Sequence, residues 1–343
     1  MRARALLVPR DRGETVRRAL VAAGVLRTDL AILREGRRLA FPLAPEAIVR
    51  PEWGEEGLRE FVPRPTPPPA AFRELLGWSP AKLELLPRSF DVVGDIVVIR
   101  LPPELEDRRF EVGEALLAFV PGARLVGVDR GVRGPERRRT VERIAGEGSW
   151  RTRHHENGLE LEVDLERAYF SPRLAHEHLR IAAEVAPGET VYDLCCGVGP
   201  FAVAIARDGR ASRVVAVDAN PEAIVLLKAT LARYPFGARV TPVEGRLEEF
   251  VGSAAPADRI VLNLPHEAIK YAVLVAPLVA PGGSLHYYEV AARDEIARRG
   301  TVVERSLGDS ARWSVRDVHS VHPYSPSSDL VAVTVRREGG GSS

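Results

Sequence analysis

The segment that most constrains the fold runs from Val191 to Phe201 and reads Val-Tyr-Asp-Leu-Cys-Cys-Gly-Val-Gly-Pro-Phe. It predicts a short apolar strand that ends in an acid, a loop of small residues, and a helix that begins near Pro200. A second apolar run, residues 214–217, leads directly into Asp218. Two successive strands that each end in an acid predict a doubly wound α/β domain with a nucleotide-type site at the carboxyl ends of its strands. An ordinary strand–turn–helix in some other doubly wound domain is the alternative.

The residues of this loop favour S-adenosylmethionine over other nucleotide cofactors. Gly197 and Gly199 allow the backbone to approach a ligand closely, because glycine has no Cβ. Asp218 is placed to accept the hydrogens of ribose hydroxyls. The loop has only two glycines, and no Lys–Ser/Thr pair follows that would bind a triphosphate. A ribose-binding acid without a phosphate cradle fits a cofactor that has a ribose and a positive sulfur but no phosphate.

The composition is that of a globular protein, with 45% hydrophobic and 28% charged residues among 343 and a net charge of +1. No run approaches the roughly 18 apolar residues of a membrane span, and the N-terminus makes a poor secretion signal. The adjacent Cys195 and Cys196 cannot form a disulfide framework. They indicate buried thiols in a cytoplasmic protein, with a redox pair as the alternative. No histidine or cysteine cluster has metal-ligand spacing, so we expect no metal.

A cluster of arginines marks a candidate RNA-binding face. Between Arg124 and Arg153 lie nine arginines and only four acids. Guanidinium groups bind phosphate oxygens bidentately, so this stretch predicts a phosphate-binding surface. A solvated charged face is the alternative. Within the cluster we expect Arg137, Arg138 and Arg139 to bind substrate.

The chain is long enough for three domains. Residues 1–62 have the pattern of a small α+β unit, and residues 63–71 form a proline-rich linker. Residues 72–165 predict a second α+β domain that carries the arginine-rich face. Residues 166–338 alternate strands and helices and form the doubly wound domain, which includes a strand over Val302–Leu307, and residues 339–343 form a flexible tail.

A second motif, Asn263-Leu264-Pro265, directly follows the predicted strand 260–262. In a doubly wound fold we expect this turn to lie beside the loop that contains Gly197 and Gly199. The asparagine carboxamide offers one acceptor and two donors, and proline fixes the chain. The combination suits the edge of a nucleobase, whereas an asparagine that only stabilises its own turn is the alternative.

Several motifs in this order resemble the archaeal and eukaryotic tRNA (guanine-N1)-methyltransferases that act on position 37, next to the anticodon. They are Tyr169-Phe-Ser-Pro-Arg-Leu174, the loop from Asp193 to Phe201, Asp218-Ala-Asn-Pro221, Asn263-Leu-Pro265 and His286-Tyr-Tyr288. The resemblance spans nearly the whole chain. It implies a class I methyltransferase domain preceded by two smaller α+β domains, with tRNA as partner and S-adenosylmethionine as cofactor. It also implies that the first domain, residues 1–62, contacts the tRNA away from the anticodon. We expect the protein to be monomeric.

The resemblance also implies roles for individual residues. Family members use a glutamate in the helix before the cofactor strand, an arginine of the middle domain, and the asparagine of the Asn-Leu-Pro turn. Asn263 and Pro265 occupy the asparagine and proline positions of the Asn-Leu-Pro turn. By its spacing Arg143 is the first candidate for the arginine, and Arg139 is the second. His266 is a candidate for lining the base pocket. Ala183 stands at the ungapped position of the glutamate, so Glu184 is the expected base, with Glu177 as an alternative. The expected cofactor-binding residues are Asp193, Gly197, Gly199, Phe201, Asp218, Glu244 and Asn263, and Tyr169 and Arg173 join the substrate-binding arginines.

Three other activities remain open at this stage. Relatives with the same fold transfer the aminocarboxypropyl group of the same cofactor in wyosine-type base synthesis. Some archaeal relatives methylate both guanine N1 and carbon 7 of the tricyclic intermediate. A non-catalytic RNA-binding protein would also fit if the general base has been lost.

Overall fold

The computed structural model describes residues 1–63, 69–133, 138–265, 268–308 and 311–339. Its contacts divide the chain into two compact units, residues 1–70 and 71–343. The predicted linker lies largely outside the described residues. The division into three domains that the sequence suggests stays a prediction.

The first unit is an antiparallel four-stranded sheet that packs against one face of helix α1. Its strand order is β2-β3-β1-β4. Val16 and Leu20, four residues apart on α1, cover the sheet residues Leu6, Val8 and Phe41. The elements are β1 (Arg2–Pro9), α1 (Gly13–Ala22), β2 (Leu33–Glu35), β3 (Arg38–Pro42) and β4 (Glu55–Glu60). Strand β4 has no apolar alternation, because it lies at the sheet edge with mostly exposed charged side chains.

The second unit begins with a four-stranded sheet of order β5-β6-β7-β8, in which only β6 and β7 run parallel. Helix α3 covers one face and buries Val112 and Leu116 against Val97 and Val126. The elements are α2 (Pro80–Glu84), β5 (Asp91–Val93), β6 (Ile96–Ile99), α3 (Arg109–Phe119), β7 (Leu125–Arg133) and β8 (Arg138–Gly146). A hairpin of β9 (Arg151–Glu156) and β10 (Leu159–Asp164) follows, as the alternation of residues 159–164 predicts.

The rest of the second unit is a seven-stranded sheet of order β13-β12-β11-β14-β15-β17-β16. The first five of these strands are parallel, and β17 pairs antiparallel with β15 and β16. Its strands are β11 (Thr190–Leu194), β12 (Arg213–Asp218), β13 (Val240–Glu244), β14 (Ala257–Leu262), β15 (Val279–Ala292), β16 (Trp313–Pro323) and β17 (Ser328–Arg337). Its helices are α4 (Ala175–Glu184), α5 (Pro200–Asp208), α6 (Pro221–Leu231), α7 (Leu247–Val251), α8 (Ala268–Val275) and α9 (Ile296–Ser306). The predicted doubly wound fold is confirmed.

The strand order reverses between β11 and β14, which are neighbours in the sheet. From β11 the chain passes outward to β12 and β13, and then returns to the other side of β11 as β14. Ligands of open α/β sheets bind outside the carboxyl ends of the strands at such a switch point. The loop after Leu194 and the turn after Leu262 therefore border the same crevice.

The prediction of a strand over Val302–Leu307 is wrong, because these residues belong to α9 and the turn that follows it. The β-branched pair Val302-Val303 suggested a strand. The buried residues Gly300, Val303 and Leu307 instead recur at helical spacing. A Cβ at Gly300 would lie 2.7 Å from a Val315 methyl group, so this helix can approach β16 closely only with glycine there.

No helix in the described ranges is long and apolar enough to cross a membrane. No group of three or more histidine, cysteine, aspartate and glutamate side chains there is placed to hold a metal ion.

Candidate active site

The loop between β11 and α5 turns sharply through left-handed backbone conformations. Cys195, Gly197 and Gly199 have φ angles of +61°, +57° and +75°. A Cβ on Gly199 would lie 2.5 Å from Cδ1 of Leu227, so this position requires glycine both for its backbone angle and for its packing. Cys195 and Gly197 line a cavity of about 600 Å³ at the carboxyl edge of the sheet.

Asp218, at the end of β12, holds this loop and also lines the cavity. Its Oδ2 accepts a 2.7 Å hydrogen bond from the backbone N–H of Gly197, and its Oδ1 accepts one of 2.9 Å from Asn220. A carboxylate accepts several hydrogen bonds at once. Asp218 thus links the glycine loop to the start of α6 and presents its carboxylate to the cavity.

Asp193 supports the loop from within the core. Its side chain is buried, its Oδ2 accepts the N–H of Ala202 at 3.0 Å, and its Oδ1 has no hydrogen-bond partner in the part of the chain that the structure describes. Burial raises the pKa of Asp193 to about 7, and the nearby Asp218 carboxylate contributes to the increase. Asp193 therefore fixes the first turn of α5 and does not line the cavity.

Two further residues expected to bind cofactor also lie away from the cavity lining. Phe201 is buried, with its ring centroid 4.5 Å from that of His178 and 5.6 Å from that of Tyr288. Glu244, at the end of β13, is exposed and stands opposite Asp218 in the sheet register. Phe201 packs the core behind the loop, because the residue after Pro200 points into the sheet–helix interface.

The turn Asn263-Leu264-Pro265 lines the same cavity as Gly197 and Asp218. It follows β14, which pairs in parallel with β11. The carbonyl of Pro265 accepts the N–H of Val290 at 3.4 Å, which ties the turn to the neighbouring strand β15. The two most informative motifs of the sequence therefore meet in one crevice. His266 lies outside the described residues.

The four-stranded sheet contributes Arg139 to the lining of the cavity. Arg139 is 9% exposed, its Nε lies 3.8 Å from Oδ2 of Asp129, and its guanidinium carbon lies 5.9 Å from the centroid of the Tyr169 ring. Arg143 is exposed and is not among the residues that line the cavity. Both arginines belong to β8, but four residues along a strand separate them by about 13 Å. The geometry thus favours Arg139 over Arg143, the first choice by spacing.

Arg173 and Tyr169, expected to bind substrate, both line the cavity. Nε of Arg173 donates a 2.8 Å hydrogen bond to Oδ1 of Asp91, another lining residue. Arg137 lies outside the described residues, and the side chain of Arg138 is outside them as well.

Neither glutamate considered as a general base lines the cavity. Glu184 accepts a 2.6 Å hydrogen bond from Arg180, and its Oε2 lies 3.6 Å from Nη1 of Arg259, near the amino end of β14. Asn263 follows the other end of that strand. Glu177 is buried and accepts hydrogen bonds from Arg180 and from the hydroxyl of Tyr288 at 2.8 Å. Burial opposes the ionisation of Glu177, but the Arg180 guanidinium outweighs it and keeps the pKa of this carboxyl below its usual range.

Several lining residues were not identified from the sequence. Asp129 lies in the middle of β7, while His322 and Tyr324 lie at and just after the end of β16. A local pattern does not mark them, because only the tertiary fold brings these distant segments to the crevice. Asp91, the first residue of β5, lines the cavity as well.

Comparison with known proteins agrees with this geometry. Residues 152–311 match the model of the TRM5/TYW2 methyltransferase domain, and residues 72–149 match that of the TYW2 N-terminal domain. Over 288 residues the chain is 34% identical to the tRNA (guanine(37)-N(1))-methyltransferase Trm5b of Pyrococcus abyssi, with 83% of each protein covered.

Two solved structures are similar over almost their whole length. A complex of aTrm5 with tRNALeu has a TM-score of 0.81 and 29% identity, and covers 97% of this chain and 99% of that one. Trm5 of Methanocaldococcus jannaschii in complex with adenosine has a TM-score of 0.67 and 28% identity, with the same coverage. Sequence and structure together show that the chain belongs to the TRM5/TYW2 methyltransferase family.

Proposed function

We propose that this protein transfers the methyl group of S-adenosylmethionine to N1 of guanosine 37 in tRNA. The observation that carries the proposal is that the cofactor-type loop, the Asn-Leu-Pro turn and a buried arginine line one cavity. The Pyrococcus abyssi relative is named for this reaction, and the aTrm5 structure contains tRNA.

The residues at the carboxyl edge of the sheet fit S-adenosylmethionine. Gly197 gives backbone access, and the Asp218 carboxylate faces the cavity where ribose hydroxyls would donate to it. The related Methanocaldococcus jannaschii structure contains adenosine, the nucleoside part of this cofactor. When bound, S-adenosylmethionine supplies a methyl group on a positively charged sulfur, which is open to attack by a nucleophile.

Residues that both sheets contribute to the cavity lining fit a guanine base. Guanine N1 carries a proton at neutral pH, and this proton must pass to solvent or to a base as N1 takes up the methyl group. As the proton leaves, negative charge develops on the ring, largely at O6. Arg139 and Asn263 both line the cavity. In the proposed reaction the Arg139 guanidinium stabilises that charge, and the Asn263 carboxamide holds the polar edge of the base. The Tyr169 ring beside Arg139 offers a surface on which an unstacked base can lie.

We expect guanosine 37 to leave its stack to react, because its N1 must reach a cavity at the carboxyl edge of the sheet. Enzymes that modify a base inside a nucleic acid extrude it into a pocket, at a cost of a few kcal/mol. The monomeric state stays a prediction from the sequence. The cytoplasmic location and the contact of residues 1–62 with tRNA outside the anticodon loop stay predictions from the sequence.

The test is incubation of the protein with methyl-labelled S-adenosylmethionine and an unmodified tRNA that carries guanosine at position 37. Mass spectrometry of the nucleosides should find N1-methylguanosine, and none in a matched tRNA with adenosine at that position. An aminocarboxypropyl adduct, or tRNA binding without any product, would overturn the proposal.

A further inference from the structure

We propose that Asp129 is a positioning residue for Arg139 and aims its guanidinium at guanine O6 during methyl transfer. The inference rests on the proposed function and adds a residue that the sequence motifs do not include. Asp129 lies on β7, next to β8 in the sheet, and both side chains line the cavity.

Arg139 has the features of a donor that awaits an acceptor. The side chain is 9% exposed, and its Nη1 is buried without a hydrogen-bond partner among the described residues. A buried N–H group of a charged side chain that lacks an acceptor costs free energy. Because Arg139 lines the cavity, an oxygen of a bound ligand is the natural acceptor for it.

A β-bulge fixes the Asp129 carboxylate. The pairing of β7 with β8 shifts between Asp129 and Val132, and Gly131 within this bulge has φ +92°. Oδ1 of Asp129 accepts the Gly131 N–H at 2.8 Å, while Oδ2 lies 3.1 Å from Nη2 of Arg100. Bulges change the direction of side chains and are common beside active sites.

Arg139 therefore has an ion-pair contact with Asp129 and an aromatic contact with Tyr169. Its Nε lies 3.8 Å from Oδ2 of Asp129, and its planar group lies over the Tyr169 ring. Neither contact uses Nη1 of Arg139, so this nitrogen can donate to guanine O6. Once the guanidinium is fixed before guanine enters, no reorientation is needed as charge develops on O6, which is the condition under which such donors are most effective.

The direction in which removal of the Asp129 charge changes the methylation rate distinguishes a positioning role from a direct electrostatic role. A carboxylate near O6 repels the charge that develops there, so its removal alone would speed the reaction. If Asp129 acts by orienting Arg139, its removal slows the reaction instead.

The experiment is a double-mutant cycle with single-turnover methylation of the guanosine-37 tRNA. Asp129→Asn keeps an oxygen for the Gly131 N–H but loses the negative charge. We expect it to slow methyl transfer about 10- to 100-fold, as misplacement of a reacting group does. In the Arg139→Ala background the same change should have no further effect, because there is no guanidinium left to orient. Asp107→Asn, at an exposed position in the same unit, is the matched control and should leave the rate unchanged.

The outcomes distinguish the two proposals. A wild-type protein that does not methylate guanosine 37 overturns the proposed function and this inference with it. With an active wild type, an unchanged or faster Asp129→Asn variant overturns the inference alone. An equal loss in both backgrounds also overturns it, because a purely structural role would persist without Arg139.

Two further measurements complete the test. A tRNA with inosine at position 37 keeps O6 and the N1 proton but lacks the 2-amino group, and the slowing by Asp129→Asn should be the same on it. A loss of that slowing would mean that Asp129 accepts the amino group directly, against the inference. If Asp129→Asn fails to bind cofactor, Asp129→Glu is used in its place. This variant keeps the charge but moves it by one methylene. We expect the same slowing, and the same outcomes would overturn the inference.

Discussion

The backbone N–H of Gly197 donates a 2.7 Å hydrogen bond to Oδ2 of Asp218, across 21 residues of sequence. This bond joins the loop after β11 to the end of β12. The residue expected to bind ribose thus also fixes the glycine turn beside which the ribose would lie. One carboxylate shapes the cofactor site in two ways.

Replacement of Asp218 by alanine should therefore weaken cofactor binding. Hydrogen bonds to a charged group contribute about 1.5–3 kcal/mol, so we expect the Kd for S-adenosylhomocysteine to rise about 10- to 100-fold in isothermal titration calorimetry. Asp208→Ala is the control, because Asp208 pairs with Arg210 at the end of α5 and does not line the cavity. An unchanged Kd for Asp218→Ala would refute the ribose contact.

Replacement of Asn263 by alanine should act on the reaction and not on tRNA affinity. Asn263 offers only one carboxamide to the base, whereas RNA affinity depends mainly on phosphate contacts. We expect kcat to fall about 100-fold, with the Kd for tRNA within about twofold of the wild type. The two quantities are measured by steady-state methylation and by filter binding. Strong remaining activity would mean that the Asn-Leu-Pro turn does not hold the guanine.

The sequence identified the lining residues of the candidate site that belong to local motifs. The Gly197 loop, Asp218 and the turn at Asn263 each follow a strand, and the doubly wound topology alone brings strand ends to one edge. The sequence alone could not show that Asp129 and Arg139 line the cavity. Their place in the crevice depends on the register of β7 and β8, and two bulges shift that register.

The same distinction explains where the structure departs from the expectations for single residues. Spacing placed Arg143 ahead of Arg139, although only the pairing of β8 determines which arginine reaches the cavity. Phe201 follows the loop in sequence, but its ring packs against His178 and Tyr288 in the core. In α9, the buried positions at helical spacing outweighed the strand preference of the two valines.

The two arginines of β8 provide a matched pair of variants. Arg139→Ala should lower kcat about 100- to 1,000-fold, as the loss of a donor to a developing oxyanion does. Arg143→Ala removes the same side chain from an exposed position in the same strand and should change kcat less than about threefold. Steady-state kinetics under saturating tRNA measures both. The reverse order of effects would restore the assignment by spacing and remove Arg139 from the guanine pocket.

Asp193 should make the stability of the protein depend on pH in an unusual direction for a carboxyl group. Burial raises its pKa in the folded state to about 7, from an ordinary value of 3.8. Between these values the folded protein holds a proton that the unfolded chain has released. The free energy of unfolding therefore falls as pH rises through this window, by up to about 1.4 kcal/mol per pH unit from this group.

Asp193→Asn isolates this contribution, because the amide does not ionise and its oxygen still accepts the Ala202 N–H. Relative to the wild type, the variant should gain stability steadily from about pH 4 to pH 7, and the difference should level off above about pH 7. Urea unfolding followed by circular dichroism at several pH values gives the two free energies. A difference that is independent of pH would show that Asp193 ionises in the folded protein as readily as in the unfolded chain. In that case burial would not be the dominant influence on this carboxyl.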